Sequence, residues 1–218
     1  MITTIIIILT AFISIRAFRD NDLMSKIIFN PPAVKKGGWY RLFTYGVAHA
    51  DYTHLIFNMF TLYFFGMDIE RVFKLTFGQA IGSVSFIILY ISALLVSILP
   101  TYIKQKDNAS YYGLGASGAV SAIIFAYVLI NPMNFMGIMF IPIMLPAFLF
   151  GLIFILISLS LEKSQFGGIN HSAHITGGIY GIIYMIVVFF VFADTNLVNS
   201  FIAQIRIDSI SDLFHIGF

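Results

Sequence analysis

The chain has 218 residues, of which 59% are hydrophobic and 10% charged, with a formal net charge of +2. Ordinary soluble domains carry about 25% charged residues, so this composition excludes a soluble globular protein, and the small, scattered charge gives no footprint for nucleic acid. Cysteine is absent, which removes disulfides, a thiolate nucleophile and a cysteine zinc site.

Apolar runs of about 20 residues predict a polytopic helical membrane protein. The first span covers about 2–18. It has no basic residue before its apolar core and no small-x-small signal after it, so it reads as a retained helix and not as a signal peptide. A long connection follows, about 19–51, with Pro31, Pro32, Gly37, Gly38 and the single tryptophan, Trp39. Its second half is aromatic and sparsely charged, which suits a loop partly embedded in the interface. The second span runs about 52–69, the third about 77–99 and closed by Pro100, and the fourth about 115–130, ending at Asn131-Pro132. The fifth lies between Pro142 and Ser160 and the sixth covers about 171–193. The predicted fold is therefore all-α: a bundle of six transmembrane helices over 1–193, with a tail over 194–218. Within the tail Val198, Phe201, Ile202, Ile205, Ile210 and Leu213 recur at roughly helical spacing, which fits an interfacial helix and equally a helix packed on the bundle.

Six spans place both termini on one side of the membrane. That side carries Arg71, Lys74 and Arg206, while the other carries Arg16, Arg19, Lys26, Lys35, Lys36, Arg41, Lys104, Lys106 and Lys163. Read literally, the positive-inside rule puts the long aromatic loop in the cytoplasm, although the rule weakens for long loops.

Polar groups inside a bilayer are functional candidates by default. No Asp, Glu, Lys or Arg lies within the apolar body of a span, so the polar set is small: His54, Asn58, Ser117, Ser121, His171, His174 and scattered Ser and Thr. His54 and Asn58, at i and i+4, share one helix face; they suit an interhelical hydrogen-bonding pair, or two donors to one external oxygen. Ser117 sits in Gly115-Ala116-Ser117-Gly118. The glycines permit a tight turn and close backbone approach, and a serine in a first helical turn lies beside free N–H groups that could hold an oxyanion. Alone, this is a small-residue packing motif. His174 stands one turn before Gly177, which with Gly181 makes a GxxxG face. The matching small surface is the Ser117 helix, and packing of the two faces could bring an imidazole to a hydroxyl. That is the Ser–His half of acyl-transfer chemistry, a dyad and not a triad.

Taken in order, the chain resembles the rhomboid family of intramembrane serine proteases. The matching residues are Trp39-Tyr40-Arg41, His49, His54-Leu55-Ile56-Phe57-Asn58-Met59, Gly66 with Glu70, Gly115-Ala116-Ser117-Gly118, and Ala173-His174 with Gly177 and Gly181. The resemblance covers about residues 1–193. It implies Ser117 as nucleophile, His174 as general base, and an oxyanion hole made by His54, Asn58 and the Ser117 backbone N–H. Gly115, Gly118, Gly177 and Gly181 would support the packing; no cofactor and no metal are implied. The implied substrates are transmembrane proteins cut near a membrane face. The implied location is the cell membrane, multi-pass, with the serine toward the outside, against the basic-residue count. The first loop and the fifth helix are implied as wall and gate, with Pro142, Pro146 and Gly151 easing the bending of that helix.

Two departures stand out. One turn after the serine, family members often carry a Tyr whose ring packs on the histidine; here it is Ser121. Trp39 and Arg41 are separated by Tyr40, where the family usually has them adjacent. The rival within the fold is a catalytically weak or inactive relative that binds transmembrane clients. A transporter would need repeats or charges along a path, a zinc protease His-Glu-x-x-His, and an aspartyl protease two intramembrane Asp residues; the sequence has none of these.

Overall fold

The computed structural model describes residues 1–137, 142–164 and 170–216. It is mostly helical. In the first helix, α1 (Ile2–Ala17), the buried residues are Thr3, Thr10, Ser14 and Ala17, whereas Ile8 is 61% and Phe12 63% exposed. A soluble helix would bury the large apolar side chains. Small residues inward and large apolar residues outward is the arrangement of a helix facing lipid, where close packing and hydrogen bonds hold helices together. Two helices, α7 (Gln79–Gln105) and α10 (His171–Ala193), are long and apolar enough to cross a membrane. The architecture is that of an α-helical membrane protein.

The loop after α1 is folded throughout. It forms α2 (Asn21–Ile27), α3 (Pro31–Lys35), α4 (Arg41–Thr44) and a 3-10 turn, Tyr45–Val47. Asp20 and Asn30 cap α2 and α3 by accepting from Leu23 N–H and Ala33 N–H. The Arg41 guanidinium donates to the carbonyls of Ser25 and Ile28 at 2.7 and 2.8 Å, closing the loop on itself.

Next, α5 (Tyr52–Thr61) is capped by the Asp51 carboxylate and runs through a π turn, Leu62–Gly66, into α6 (Met67–Phe77). The helix thus continues well beyond the 52–69 of the sequence reading. Ile69 and Phe73 stay buried, and Glu70 accepts from the Ile2 and Thr3 amides and the Thr3 hydroxyl. The charged stretch that looked like a helix end is therefore the cap for the free N–H groups of α1. Pro100 likewise does not close the third helix, since α7 runs past it to Gln105. The turn that follows is held by Thr101, which is hydrogen-bonded to Asn170 at 3.1 and 2.9 Å.

The fourth apolar helix, α8 (Ser117–Ile130), is the axis of the molecule. Ten of its residues, from Gly118 to Leu129, are buried, and α7, α9 (Ala147–Ser164) and α10 pack round it. The loop after α8 departs from an all-α fold. It forms β1 (Phe135–Gly137) and β2 (Ile143–Pro146), antiparallel with Met136 opposite Leu145, and the tail returns to add β3 (His215–Ile216). Pro142 therefore precedes the fifth helix and Pro146 ends a strand, so of the three residues expected to bend that helix only Gly151 lies within it. In the tail, α11 (Leu197–Gln204) buries Leu197, and Phe201 packs against Val128, Met136 and Ala147.

Candidate active site

The segment before Ser117 is fixed by the first loop. Phe29 and Gly113 exchange both backbone hydrogen bonds at 2.9 Å, and Gly115 N–H donates to the Tyr45 carbonyl at 3.0 Å. Asn30 adds a side-chain bond to the Tyr111 carbonyl at 3.1 Å. Gly115 then turns with φ +106°, a conformation that suits glycine, and Ser117 opens α8 with its backbone N–H outside the helical ladder.

His54 lies directly over that turn. A β-carbon at Gly115 would come within 2.8 Å of His54 Nε2. The Ala50 N–H donates to His54 Nδ1 at 3.5 Å, so in the neutral ring Nε2 carries the proton. His54 thus presents an N–H donor at the serine turn. Asn58 is buried on the same face, but one of its amide hydrogens is used: Nδ2 donates to the His54 carbonyl at 2.9 Å. The pair expected to act as two donors is unequal. His54 brings its whole ring edge to the turn, and Asn58 keeps one hydrogen.

On the other side α10 presses its glycine face onto α8. Gly118 meets Ser97 of α7, with a β-carbon there 2.3 Å from Ser97 Oγ and 3.4 Å from the Ala173 carbonyl. Gly177 and Gly181 meet the carbonyls of Gly118 and Ala122. Ser117 and His174 are the neighbours of this contact, residue 117 beside Gly118 and residue 174 beside Ala173 and one turn from Gly177. Both are partly buried. Among the described residues no hydrogen bond joins them. Catalytic hydrogen bonds are often long without substrate and tighten in the complex.

Around His174 the neighbours are rings. The His171 imidazole lies 5.9 Å away, edge-on, and the Phe154 ring of α9 lies 6.0 Å away, nearly parallel at 29°. Ser121, by contrast, is small and buried. Phe154 carried no sequence signal, because α9 holds other apolar and aromatic residues at every spacing.

His49 anchors the loop. Ser14 Oγ donates to the Val47 carbonyl at 2.7 Å and lies 2.9 Å from His49 Nδ1. The hydroxyl proton is thereby used, so Nδ1–H is the donor and Nε2 is a bare acceptor, buried with no partner among the described residues. Its ring packs edge-on to His54 at 5.0 Å. Burial pushes the His49 imidazole down to about 3.

A family model described as the Rhomboid domain matches residues 36–214. RHOMBOID-like protein 12, mitochondrial, of Arabidopsis thaliana is 30% identical over 176 residues, covering 76% of this chain and 51% of that protein. YdcA of Bacillus subtilis (strain 168), named as a candidate rhomboid protease, is 30% identical over 95 residues, 44% of this chain and 43% of that protein. The chain spans about half the length of these relatives.

Proposed function

The chain belongs to the rhomboid family, and from that premise we propose that it is an intramembrane serine endopeptidase working through a Ser117–His174 dyad. The observation that carries the reading is the convergence on one turn: Ser117 opens α8 after Gly115, the His54 ring covers that glycine, and the His174 helix is pressed onto Gly118. His174 takes the Ser117 hydroxyl proton as Oγ attacks the scissile carbonyl carbon. The oxyanion so formed accepts from His54 Nε2–H, from the remaining Asn58 amide hydrogen and from the Ser117 backbone N–H. His174 then protonates the leaving amine, and water releases the acyl group by the same steps in reverse.

Six spans over 1–193 deliver the substrate from the bilayer: α1, the rod from α5 to α6, α7, α8, α9 and α10. The substrates are transmembrane segments of other proteins, reached laterally, and the membrane is the cell membrane. The first loop, with Trp39 66% and Tyr40 42% exposed, lies in the interface where such rings settle. In the tail, α11 lies along the same bundle against α8 and α10. The serine faces the outside, because the opposing basic-residue count is dominated by this one folded loop.

The test is cleavage of a single-span substrate in proteoliposomes, with labelling by a fluorophosphonate. Ser117→Ala should abolish both and His174→Ala nearly so, with expression unchanged; cleavage by Ser117→Ala at the parent rate overturns the mechanism. A second reading, a relative that binds clients without cutting them, draws on the absence of a Ser117–His174 hydrogen bond among the described residues. It predicts substrate capture with no cleavage and no labelling by the parent chain.

A further inference from the structure

We infer that Phe154 is the positioning residue for His174, holding the imidazole in register with Ser117 from a different helix than the serine's own; the inference rests on the dyad reading above. An imidazole that shuttles a proton must be held in one orientation, normally by a hydrogen bond to its second nitrogen or by packing. Among the described residues no side chain hydrogen-bonds the His174 ring. Two rings touch it. His171 is one turn away on the same helix and meets the ring edge-on, so it moves with His174 and cannot register it against α8. Phe154 comes from α9 and lies nearly parallel to the imidazole, with centroids 6.0 Å apart, within the range of offset stacking.

The α8 position one turn after Ser117 supplies no ring, since it is Ser121, buried and small. The α8 helix supports Phe154 one level further down. Phe125, two turns after Ser117, packs on Phe154 at 5.9 Å. Gly178 leaves room for Phe125, since a β-carbon there would come within 2.6 Å of its ring. Ring contacts therefore run from α8 through α9 to α10, Phe125 tilted at 56° against Phe154 and Phe154 stacked on His174. Alignment of the base consequently depends on α9 being seated.

The experiment compares Phe154→Ala, Phe154→Leu and Phe154→Tyr with the parent chain in proteoliposomes. It measures kcat and KM for a single-span substrate, the labelling rate of Ser117 by a small fluorophosphonate over a range of pH, and the unfolding midpoint. A base held less well should lower kcat and labelling together, by roughly 10-fold or more of the 10²–10⁴ that such a base contributes, with KM little changed. Phe154→Tyr should keep near-parent rates and Phe154→Leu should behave like Phe154→Ala, because bulk without a ring face does not orient the imidazole. Three results overturn the inference: full kcat in Phe154→Ala, full kcat in Phe154→Leu, or slowed cleavage with unchanged Ser117 labelling, which would make Phe154 a substrate-passage residue. A parent chain that neither cleaves nor labels refutes the dyad itself, and this inference with it.

Discussion

Gly177 of α10 faces the carbonyl oxygen of Gly118 on α8: a β-carbon on Gly177 would lie 2.1 Å from it. The obstacle is backbone, one residue from Ser117, so it cannot rotate away. The helices can only separate, and that separation would carry His174 off the serine.

Gly177→Ala should therefore cost about 1–3 kcal/mol of stability as an overpacked contact and lower cleavage as well. Gly181→Ala, 2.2 Å from the Ala122 carbonyl, should match it in stability but lie a turn further from the chemistry. Gly151→Ala is the control. Its β-carbon would meet the edge of the Phe125 ring, Cε1, at 3.2 Å, and a helical glycine costs roughly 0.5–1 kcal/mol relative to alanine, so this variant should be neutral or slightly stabilised. Unfolding midpoints in micelles beside cleavage rates give the comparison. Equal behaviour of Gly177→Ala and Gly151→Ala would show that the helix contact is soft.

His54 and Asn58 should not contribute equally. Removing one oxyanion donor costs about 10²–10³ in kcat, and His54→Ala should show that loss. Asn58→Ala should lose less, since half of its donor capacity is spent on the His54 carbonyl. Gly115→Ala separates geometry from chemistry. It removes no donor, yet its methyl would fall 2.7 Å from the His54 ring, at a φ of +106° that alanine rarely adopts. It should reproduce most of the His54→Ala defect. Steady-state kcat for the three variants decides it, and a fully active Gly115→Ala would remove His54 from the oxyanion site.

How far the sequence could have led is clearest residue by residue. The sixth helix, read as about 171–193, forms as His171–Ala193 because its apolar run ends cleanly there; the Asn170 cap shows only in the structure. The Gly177–Gly181 face stood out too, since small residues at i and i+4 on an apolar helix allow close approach, and that face lies against the Gly118 and Ala122 carbonyls. The extension of α6 past Glu70 was not, because a carboxylate after an apolar run looks like a helix end until α1 is seen above it. Pro100 and Pro146 misled in opposite directions, one lying inside a helix and the other outside. Proline restricts its own segment, but tertiary packing decides whether a helix continues. Phe154 was invisible: nothing in α9 distinguishes one phenylalanine from the next until His174 is placed beside it.

The buried His49 gives a pH dependence with a definite sign. Its ring is fully enclosed, bonded to Ser14 through Nδ1–H and flanked by the His54 ring. Burial is the main cause that lowers it from 6.5 to about 3; His54 adds to the shift and Asp51 opposes it. With the folded value below the unfolded one, the unfolded chain takes up the proton first. Stability is therefore greatest above 6.5 and falls as pH drops toward 3. His49→Gln cannot titrate, but its amide can still donate to Ser14. It should be less stable than the parent at neutral pH by about 1–2 kcal/mol for the poorer buried bond. Its loss on acidification should be shallower, so that the two stability curves approach each other at low pH. Unfolding midpoints in micelles from about pH 8 to about pH 4 measure both slopes. If the variant lost stability as steeply as the parent, the acid sensitivity would belong to another group, and His49 would be only the anchor between the loop and α1.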